Sequence, residues 1–308
     1  MRGATTLNQA MKVTVTGSSG FLGSHLLPKL LEAGHQVHVA GRKRAASLPS
    51  EIAFSEWNAS AEPPAGALSG SDAVVHLAGE PIAQRWTVEA KARIRESRVE
   101  GTRLLVSALR NLPERPSVLV CSSGISYYGS RGDEVLTETS SRGPGFLSDV
   151  VRDWEAAARS AEPLGIRVVC LRFGAILGHG GALAKMLPPF RLGLGGPIGS
   201  GSQWTSWIHI ADAAGLIMFA TENDALRGPV NGTSSNPVTN RDFTRELGHA
   251  LHRPTVLPVP ELALKLIFGE MSSVILDSQR VVPKAAKQAG FRFQYPDLRS
   301  ALSEILKP

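Results

Sequence analysis

Apolar and polar positions along this chain follow two different periods. Lys12–Thr16 is a short β-branched run that ends at once in glycines, the pattern of a buried strand. From Phe21 to Ala33 the spacing becomes helical: Leu22, Leu26, Leu27, Leu30 and Leu31 form one stripe, and Gly34 stops it. Pro28 lies inside that stretch, removes a backbone donor and predicts a bend there. Gln36–Ala40, Ala73–Leu77 (AVVHL), Ser117–Cys121 and Arg167–Leu171 (RVVCL) read as further strands. Thr87–Arg110 reads as a long, charged, amphipathic helix, and Phe146–Ala161 as a helix that stops before Pro163. Strands alternating with helices over some 175 residues predict an α/β fold, a parallel sheet covered on both faces.

After residue 175 the texture changes. Two glycine-rich loops, Gly178–Gly181 and Gly193–Gly201, flank the segment Ala182–Leu192. Trp204–Ile210 follows, then predicted helices at Asp212–Thr221 and Arg241–Leu251, a proline-rich turn and a final amphipathic piece. This half reads as a smaller α+β lobe closing over the first. The expected organisation is an N-terminal extension at 1–10, a nucleotide-binding domain at 11–175 to which segments around 205–232 return, and a substrate-side lobe at 176–308.

Composition narrows the class. The chain has 308 residues, 43% hydrophobic and 19% charged, which excludes a disordered chain, a collagen and a small disulfide scaffold. A net charge of +6 is mild at this length. It favours an anionic ligand, but the one dense run, Arg42-Lys43-Arg44, is too short for a nucleic-acid tail. No apolar stretch approaches the ~20 residues of a membrane span, and no signal-peptide core precedes the first strand. Cys121 and Cys170 sit inside apolar runs, as buried reduced thiols of a cytoplasmic protein do.

The chemistry concentrates in Gly17-Ser18-Ser19-Gly20-Phe21-Leu22-Gly23, between the first strand and the first helix. In that context the first glycine permits a tight turn, the second lets a pyrophosphate approach the backbone, and the third packs helix on sheet. The helix N-terminus offers free N–H groups and the positive end of its dipole. The end of the second strand chooses the dinucleotide. An acid there would hold the ribose hydroxyl of NAD, whereas here the chain reads Ala40-Gly41-Arg42-Lys43-Arg44. A guanidinium suits a 2′-phosphate, so NADP(H) is expected over NAD(H). The next strand ends His76-Leu77-Ala78-Gly79-Glu80, where small residues let backbone lie close to a cofactor; His76 reads as a hydrogen-bonded core residue. No residues stand at metal-ligand spacing, and no metal is expected.

With these residues in place, the chain resembles an atypical branch of the extended short-chain dehydrogenase/reductases, the sugar-nucleotide epimerase-like epimerase family of the 39U type. The markers are GSSGFLG (Gly17–Gly23), LAGEPI (Leu77–Ile82), SYYG (Ser126–Gly129), WEAAA (Trp154–Ala158), FRLGLGGPIGSG (Phe190–Gly201), SWIHIAD (Ser206–Asp212) and the segment Gly269–Phe293. The resemblance implies a seven-stranded doubly wound Rossmann domain, a family C-terminal domain at about 255–303, and bound NADPH. It implies cofactor contacts from Gly17, Ser18, Gly20, Phe21 and Leu22, from Gly41 and Arg42, and from Leu77, Ala78, Gly79 and Glu80. Arg98 on the long helix, otherwise a surface residue, and Ser122 on the following strand complete that set.

The same resemblance exposes a departure. Extended reductases carry Tyr-x-x-x-Lys, with a Glu four residues after the Lys. Anchoring that Glu at Glu155 puts Val151 at the lysine position and Leu147 at the tyrosine position; aligned on Tyr128-Gly129, the serine position falls at Gly124, with Ser122, Ser123 and Ser126 nearby as alternatives. None of these moves a proton. Tyr127, Tyr128, Ser122 and Ser123 are candidate substitutes, with loop packing as the alternative; Glu80 is a further acid/base candidate or a surface residue. Trp204–Trp207 and the glycine loops are expected to line a cleft, although for either tryptophan alone core packing is the better reading, with Gln203, His209 and Arg191 available to a polar substrate; His209 reads otherwise as a structural hydrogen bond at the lobe junction. Two functions compete: an oxidoreductase acting on an unidentified small molecule, and a non-catalytic NADPH-binding sensor or partner-binding module. Neither nucleic acid nor membrane is expected as a partner, and monomer and homodimer are both compatible with the helices Thr87–Arg110 and Phe146–Ala161.

Overall fold

The computed structural model of the protein describes residues 10–46 and 48–307; all but the last residue of the expected extension at 1–10 lies outside the described residues. Seven strands build the central sheet: β1 (Lys12–Thr16), β2 (Gln36–Gly41), β3 (Ala53–Glu56), β4 (Ala73–His76), β5 (Val118–Gly124), β6 (Arg167–Phe173) and β7 (Gly228–Gly232). Their spatial order is β7-β6-β5-β4-β1-β2-β3, and every neighbouring pair is parallel. The order reverses direction between β1 and β4, and in such doubly wound sheets a ligand sits outside the carboxyl ends of the strands at that switch.

The period-2 geometry of a strand explains why these short runs are apolar throughout. Val13, Val15, Ala73, Val75, Val118, Val120, Val169 and Leu171 point to one face and pack with Leu26 and Leu30. Those leucines come from helix α1 (Phe21–Glu32), which continues as helix through Pro28. Val74, Leu119, Cys121, Val168 and Cys170 point to the other face. They meet Leu105 and Leu109 of helix α2 (Val88–Arg110) and Trp154 and Ala158 of helix α3 (Phe146–Arg159). Thr87 caps α2, its Oγ1 accepting from the Ala90 N–H at 3.2 Å.

Two strands of the central sheet escape the sequence reading. β3 is short and half-polar, and β7 reads Gly-Pro-Val-Asn-Gly. Both lie at the edges of the sheet, where one neighbour suffices and proline is tolerated.

Five further helices of eight residues or more follow among the described residues: α4 (Gly181–Arg191), α5 (Ile210–Glu222), α6 (Asn240–Leu251), α7 (Glu261–Phe268) and α8 (Leu298–Ile305). α5 returns to the sheet and packs beside α1. The lobe has its own core, in which Leu183, Phe190, Phe243, Leu247 and Leu302 surround Trp207. Short strand pairs stitch the lobe to the rest: Ala175–Leu177 with Trp207–His209, and Val135–Leu136 with Arg280–Val281.

Candidate functional site

Gly17 follows β1 at φ +69°, a conformation costly for any residue with a side chain. A Cβ there would stand 2.6 Å from the carbonyl carbon of Leu77, and one on Gly23 would stand 2.5 Å from the Gly17 carbonyl oxygen. The turn is closed by the Gly20 N–H donating to the Gly17 carbonyl at 3.0 Å. No carboxylate lies in the first turn of α1, so its free N–H groups and dipole meet no local anion. Ser18, Gly20, Phe21 and Leu22 line this start, Leu22 turning partly into the core.

The glycine-rich loop Gly178–Gly181 meets this turn through Phe21. A Cβ on Gly178, Gly180 or Gly181 would come within 2.8–2.9 Å of the Phe21 ring. The sequence showed both features without connecting them. Phe21 is thus the contact between the first turn of the sheet domain and the segment entering α4.

β2 carries one residue beyond its predicted end, and the Gly41 carbonyl accepts from the Trp57 N–H at 2.8 Å. Arg42 follows, exposed, with no ion pair or side-chain hydrogen bond among the described residues. Arg44 is different: it folds back onto the carbonyls of Ile52 and Pro49 at 3.0 and 2.5 Å and serves the loop. The basic run therefore divides into a free Arg42 and a structural Arg44.

Across the switch point, the Leu77 N–H donates to the Thr16 carbonyl at 3.2 Å. Arg98 lies beneath the Leu77–Glu80 turn, buried, which removes its surface reading. Its Nη1 donates to the carbonyls of Glu80 at 2.9 Å and Ile94 at 3.2 Å, and its guanidinium lies 5.2 Å from the Trp154 ring. A Cβ on Gly79 would approach Arg98 Cζ to 3.1 Å, so a glycine here lets the loop settle onto the guanidinium. Burial pushes the Arg98 pKa down to about 10. Glu80 faces Arg93 at 3.6 Å and Gln84 at 3.4 Å in a half-exposed cluster, which makes it a surface residue rather than a desolvated acid.

His76 is fully buried between Thr16 Oγ1 at 2.7 Å and Thr102 Oγ1 at 3.1 Å. Burial, then the nearby Arg98 charge, pushes its pKa down to about 4. It is a neutral core histidine, as its sequence context suggested.

The position of the family's proton-transfer groups holds a different chemistry. Gly124 faces Val151, whose Cγ2 would lie 4.0 Å from a Cβ added to Gly124. The expected Ser and Lys positions therefore meet as glycine and valine. Beside them runs a buried polar chain. Ser123 donates to Glu155 at 2.7 Å, and Arg172 grips both Glu155 oxygens through Nε and Nη2, each at 2.7 Å. Arg172 Nη1 also donates to the Tyr128 hydroxyl at 3.0 Å, which donates to Asn231 Oδ1 at 2.7 Å. The Asn231 amide donates to the Val282 carbonyl at 3.0 Å. Arg172 Cζ sits 3.5 Å above the Tyr127 ring. Burial works against the Arg172 charge, yet the Glu155 carboxylate raises its pKa overall; burial raises that of Tyr128.

This chain assigns Ser123, Glu155 and Tyr128 to structure. Ser122 has no side-chain hydrogen bond among the described residues, and Tyr127 stays half-exposed over the guanidinium. Sequence reasoning missed Arg172 and Asn231, because nothing local marks an arginine at the end of an apolar strand as the partner of a carboxylate 17 residues away.

The substrate-side residues do not converge. Trp207 is a core residue with no exposed surface, the packing role expected of a single tryptophan here, and this removes it from the cleft wall expected of the segment. Trp204 donates to Asp133 at 2.7 Å and carries Arg280 4.1 Å above its ring. Gln203 donates to the Ile198 carbonyl at 3.3 Å, and Arg191 is exposed on the lobe surface. His209 accepts from the Ala211 N–H at 3.1 Å through Nδ1 and meets Glu304 at 2.9 Å through Nε2, a structural role. Among the described residues no three His, Cys, Asp or Glu side chains converge as a metal site, and no helix is long and apolar enough to cross a membrane.

Comparison with known proteins places this geometry among relatives. The model of the NAD dependent epimerase/dehydratase family matches residues 13–231, and that of a domain of unknown function, DUF1731, matches residues 259–305. Human epimerase family protein SDR39U1 is 38% identical over 302 residues, covering 96% of this chain and 100% of its own. Epimerase family protein YfhF of Bacillus subtilis is 39% identical, covering 96% and 98%. A homologue of SDR39U1 from Arabidopsis thaliana, described as chloroplastic, is 40% identical, covering 96% and 87%. The crystal structure of human SDR39U1 with NADPH superposes with a TM-score of 0.87 at 37% identity, covering 96% of this chain and 99% of that one. The UDP-glucose 4-epimerase of Thermotoga maritima superposes at 0.76 with 19% identity, which speaks for the fold alone.

Proposed function

The chain belongs to the NAD dependent epimerase/dehydratase family, and from that premise we propose that it is an NADP(H)-binding protein, an oxidoreductase acting on an unidentified small molecule. The observation that carries this reading is the cradle at the switch point. Three glycines bring backbone where side chains would collide, no acid stands in the first turn of α1, and Arg42 stands free at the end of β2. The cradle fits a dinucleotide diphosphate, and Arg42 fits a 2′-phosphate. The relative crystallised with NADPH supports the same cofactor.

When bound, NADP(H) supplies a hydride donor or acceptor. In this reading Gly17, Ser18, Gly20, Phe21 and Leu22 hold the diphosphate turn, and Gly41 and Arg42 face the adenosine ribose. Leu77, Ala78, Gly79 and Glu80 form the opposing backbone wall, which Arg98 holds from below. Ser122 and Tyr127 are the hydroxyls left to meet a substrate at the end of β5. A second reading is favoured by the Gly124–Val151 contact: with no acid and no cation there, the protein binds NADPH as a sensor or partner-binding module without turning substrate over.

The test is a fluorescence titration with NADPH and NADH of wild type and Arg42→Ala, using Trp57 and its neighbours as reporters. NADPH binding should weaken about 10–100-fold in the variant, the ~1.5–3 kcal/mol of a hydrogen bond to a charged group, while NADH binding stays unchanged. Equal affinity of wild type for both dinucleotides would remove the NADP(H) assignment. Turnover of NADPH with any carbonyl compound would then separate the enzyme from the sensor.

A further inference from the structure

Helix α3 carries a stripe of residues four apart, Leu147, Val151 and Glu155, and this stripe climbs past the carboxyl end of β5. Glu155 accepts from the Ser123 hydroxyl at 2.7 Å, and Val151 stands against Gly124, the last residue of β5. One turn further out Leu147 passes beyond the strand end and is half-buried. At the end of β5 the protein thus presents a glycine and two branched aliphatic side chains.

The surroundings continue that character. Phe146, beside Leu147, meets the Trp86 ring edge-on with centroids 5.3 Å apart. Trp86 comes from the segment that follows the Leu77–Glu80 wall, is half-buried, and has committed its Nε1–H to the Ile82 carbonyl at 3.1 Å. The charges at this rim are already matched. Lys91 pairs with Glu270 and lies 5.3 Å from the Phe146 ring centre, and Glu80 faces Arg93 at 3.6 Å. Arg172 lies deeper, with both Glu155 oxygens in its grip. Apolar and aromatic walls with neutralised charges fit a flat, uncharged ring.

The same surroundings select the kind of hydride acceptor. Hydride transfer to a simple ketone or aldehyde leaves an alkoxide, whose conjugate acid is about as weak as water, near ~16, so a reductase must hand it a proton. Hydride transfer to a quinone leaves an aryloxide, whose conjugate acid is a phenol of pKa about 10, like a tyrosine side chain. That base is roughly a million-fold weaker, and the ring becomes aromatic in the same step.

Resting on the NADP(H)-binding reading above, we propose that the substrate is a quinone, reduced to its hydroquinone against the wall of Trp86, Phe146, Leu147 and Val151 without a proton from the protein. The C–H bond of the dihydronicotinamide breaks, an O–H bond forms at one quinone oxygen, and the other oxygen takes the electron pair as aryloxide. Water then protonates that aryloxide. The quinone is reduced by two electrons and the dinucleotide is oxidised by two. An iminium ion also takes a hydride without a proton, but its positive charge calls for a free carboxylate, and both Glu80 and Glu270 face cations.

An anaerobic assay of the full chain with NADPH and 1,4-naphthoquinone, against cyclohexanone and benzaldehyde, tests this. Naphthoquinone should be reduced at least ~100-fold faster than either, the least that a missing general acid costs the other two. A second readout needs no turnover: calorimetric titration of 1-naphthol, a redox-inert analogue of the hydroquinone, into the NADPH-loaded protein. Leu147→Asp and Trp86→Ala should each weaken naphthol binding at least about tenfold, with NADPH affinity at the wild-type value. An aspartate in the first turn of α3 suits the helix, and the retained NADPH affinity shows that each variant has folded. Reduction of cyclohexanone or benzaldehyde at the rate of naphthoquinone would overturn the proposal. So would faster reduction of protonated 2-methyl-1-pyrroline, or naphthol binding indifferent to both substitutions. Protein that binds NADPH but neither reduces naphthoquinone nor binds naphthol would overturn it too, and would leave the cofactor reading standing. Protein that binds no NADPH would remove the cofactor reading itself, and the quinone with it.

Discussion

The carboxyl ends of the central strands carry two polar regions built on opposite plans. At the ends of β1 and β2 the chain keeps its groups free: backbone N–H groups at the start of α1 and the unpaired Arg42. At the ends of β5, β6 and β7 the charged groups and most of the buried polar ones are spent on one another, and only the hydroxyls of Ser122 and Tyr127 stay outside that chain. Ser123, Glu155, Arg172, Tyr128 and Asn231 form one continuous, buried and satisfied chain. Polar residues at the carboxyl edge of such a sheet therefore do not all carry the same meaning. Free groups in an open turn suit a ligand, while groups that exhaust one another hold the fold.

The largest expected effect breaks that contrast at its stable end. Glu155→Gln leaves Arg172 charged, buried and without its carboxylate, at a cost of about 3–5 kcal/mol. Urea denaturation should record that loss, while NADPH affinity of the protein that remains folded stays at the wild-type value. Replacing both partners, Glu155→Leu with Arg172→Met, should recover most of the stability, because no charge is then stranded. If Glu155→Gln left stability intact but abolished NADPH binding, the network would belong to the site and the contrast would fail.

A smaller effect tests the open end. Gly17→Ala forces a side chain into positive φ and against the Leu77 backbone. The turn must shift, and NADPH affinity should fall about 100-fold, which corresponds to about 2.7 kcal/mol of binding. Folding itself should lose about 1–3 kcal/mol through strain at that one residue. Calorimetric titration measures the first and denaturation the second. Wild-type affinity in this variant would mean that the dinucleotide lies elsewhere.

The two regions differ equally in how readily the sequence reveals them. The open cradle is local: strand, glycines and helix are contiguous, and the basic residues close the very next strand, so period and spacing suffice. The five members of the buried chain come from β5, the turn after it, α3, β6 and β7, and they meet only once the parallel topology is set. Arg172 in RVVCLRF looks like the polar end of a strand, and Asn231 lies in a glycine–proline edge strand that carries no strand signal of its own. α7 shows the converse. ELALKLIF reads as a core helix by composition, and only the fold shows that none of its residues is buried and that Leu262, Leu266 and Ile267 stand exposed.

His76 stands between the two regions and sharpens their comparison. Through Thr16 it touches the end of β1, and through Thr102, which also accepts from Trp154 Nε1 at 2.9 Å, it touches the helices beside the buried chain. Its folded-state pKa of about 4 lies below the ordinary 6.5, because burial and then Arg98 oppose a second proton. The unfolded chain takes up that proton below pH 6.5 while the folded chain refuses it until about pH 4. The stabilisation is thus complete above pH 6.5, is lost progressively as pH falls from 6.5 to 4, and changes no further below. At pH 5 the loss amounts to about 2 kcal/mol. His76→Gln cannot take up the proton, and its amide reaches for the same two threonines. Denaturation at pH 7 and pH 5 should therefore show wild type losing about 2 kcal/mol more than the variant. An equal loss in both would mean that His76 accepts its proton in the fold, and that the junction between open cradle and closed network is wetter than its packing requires.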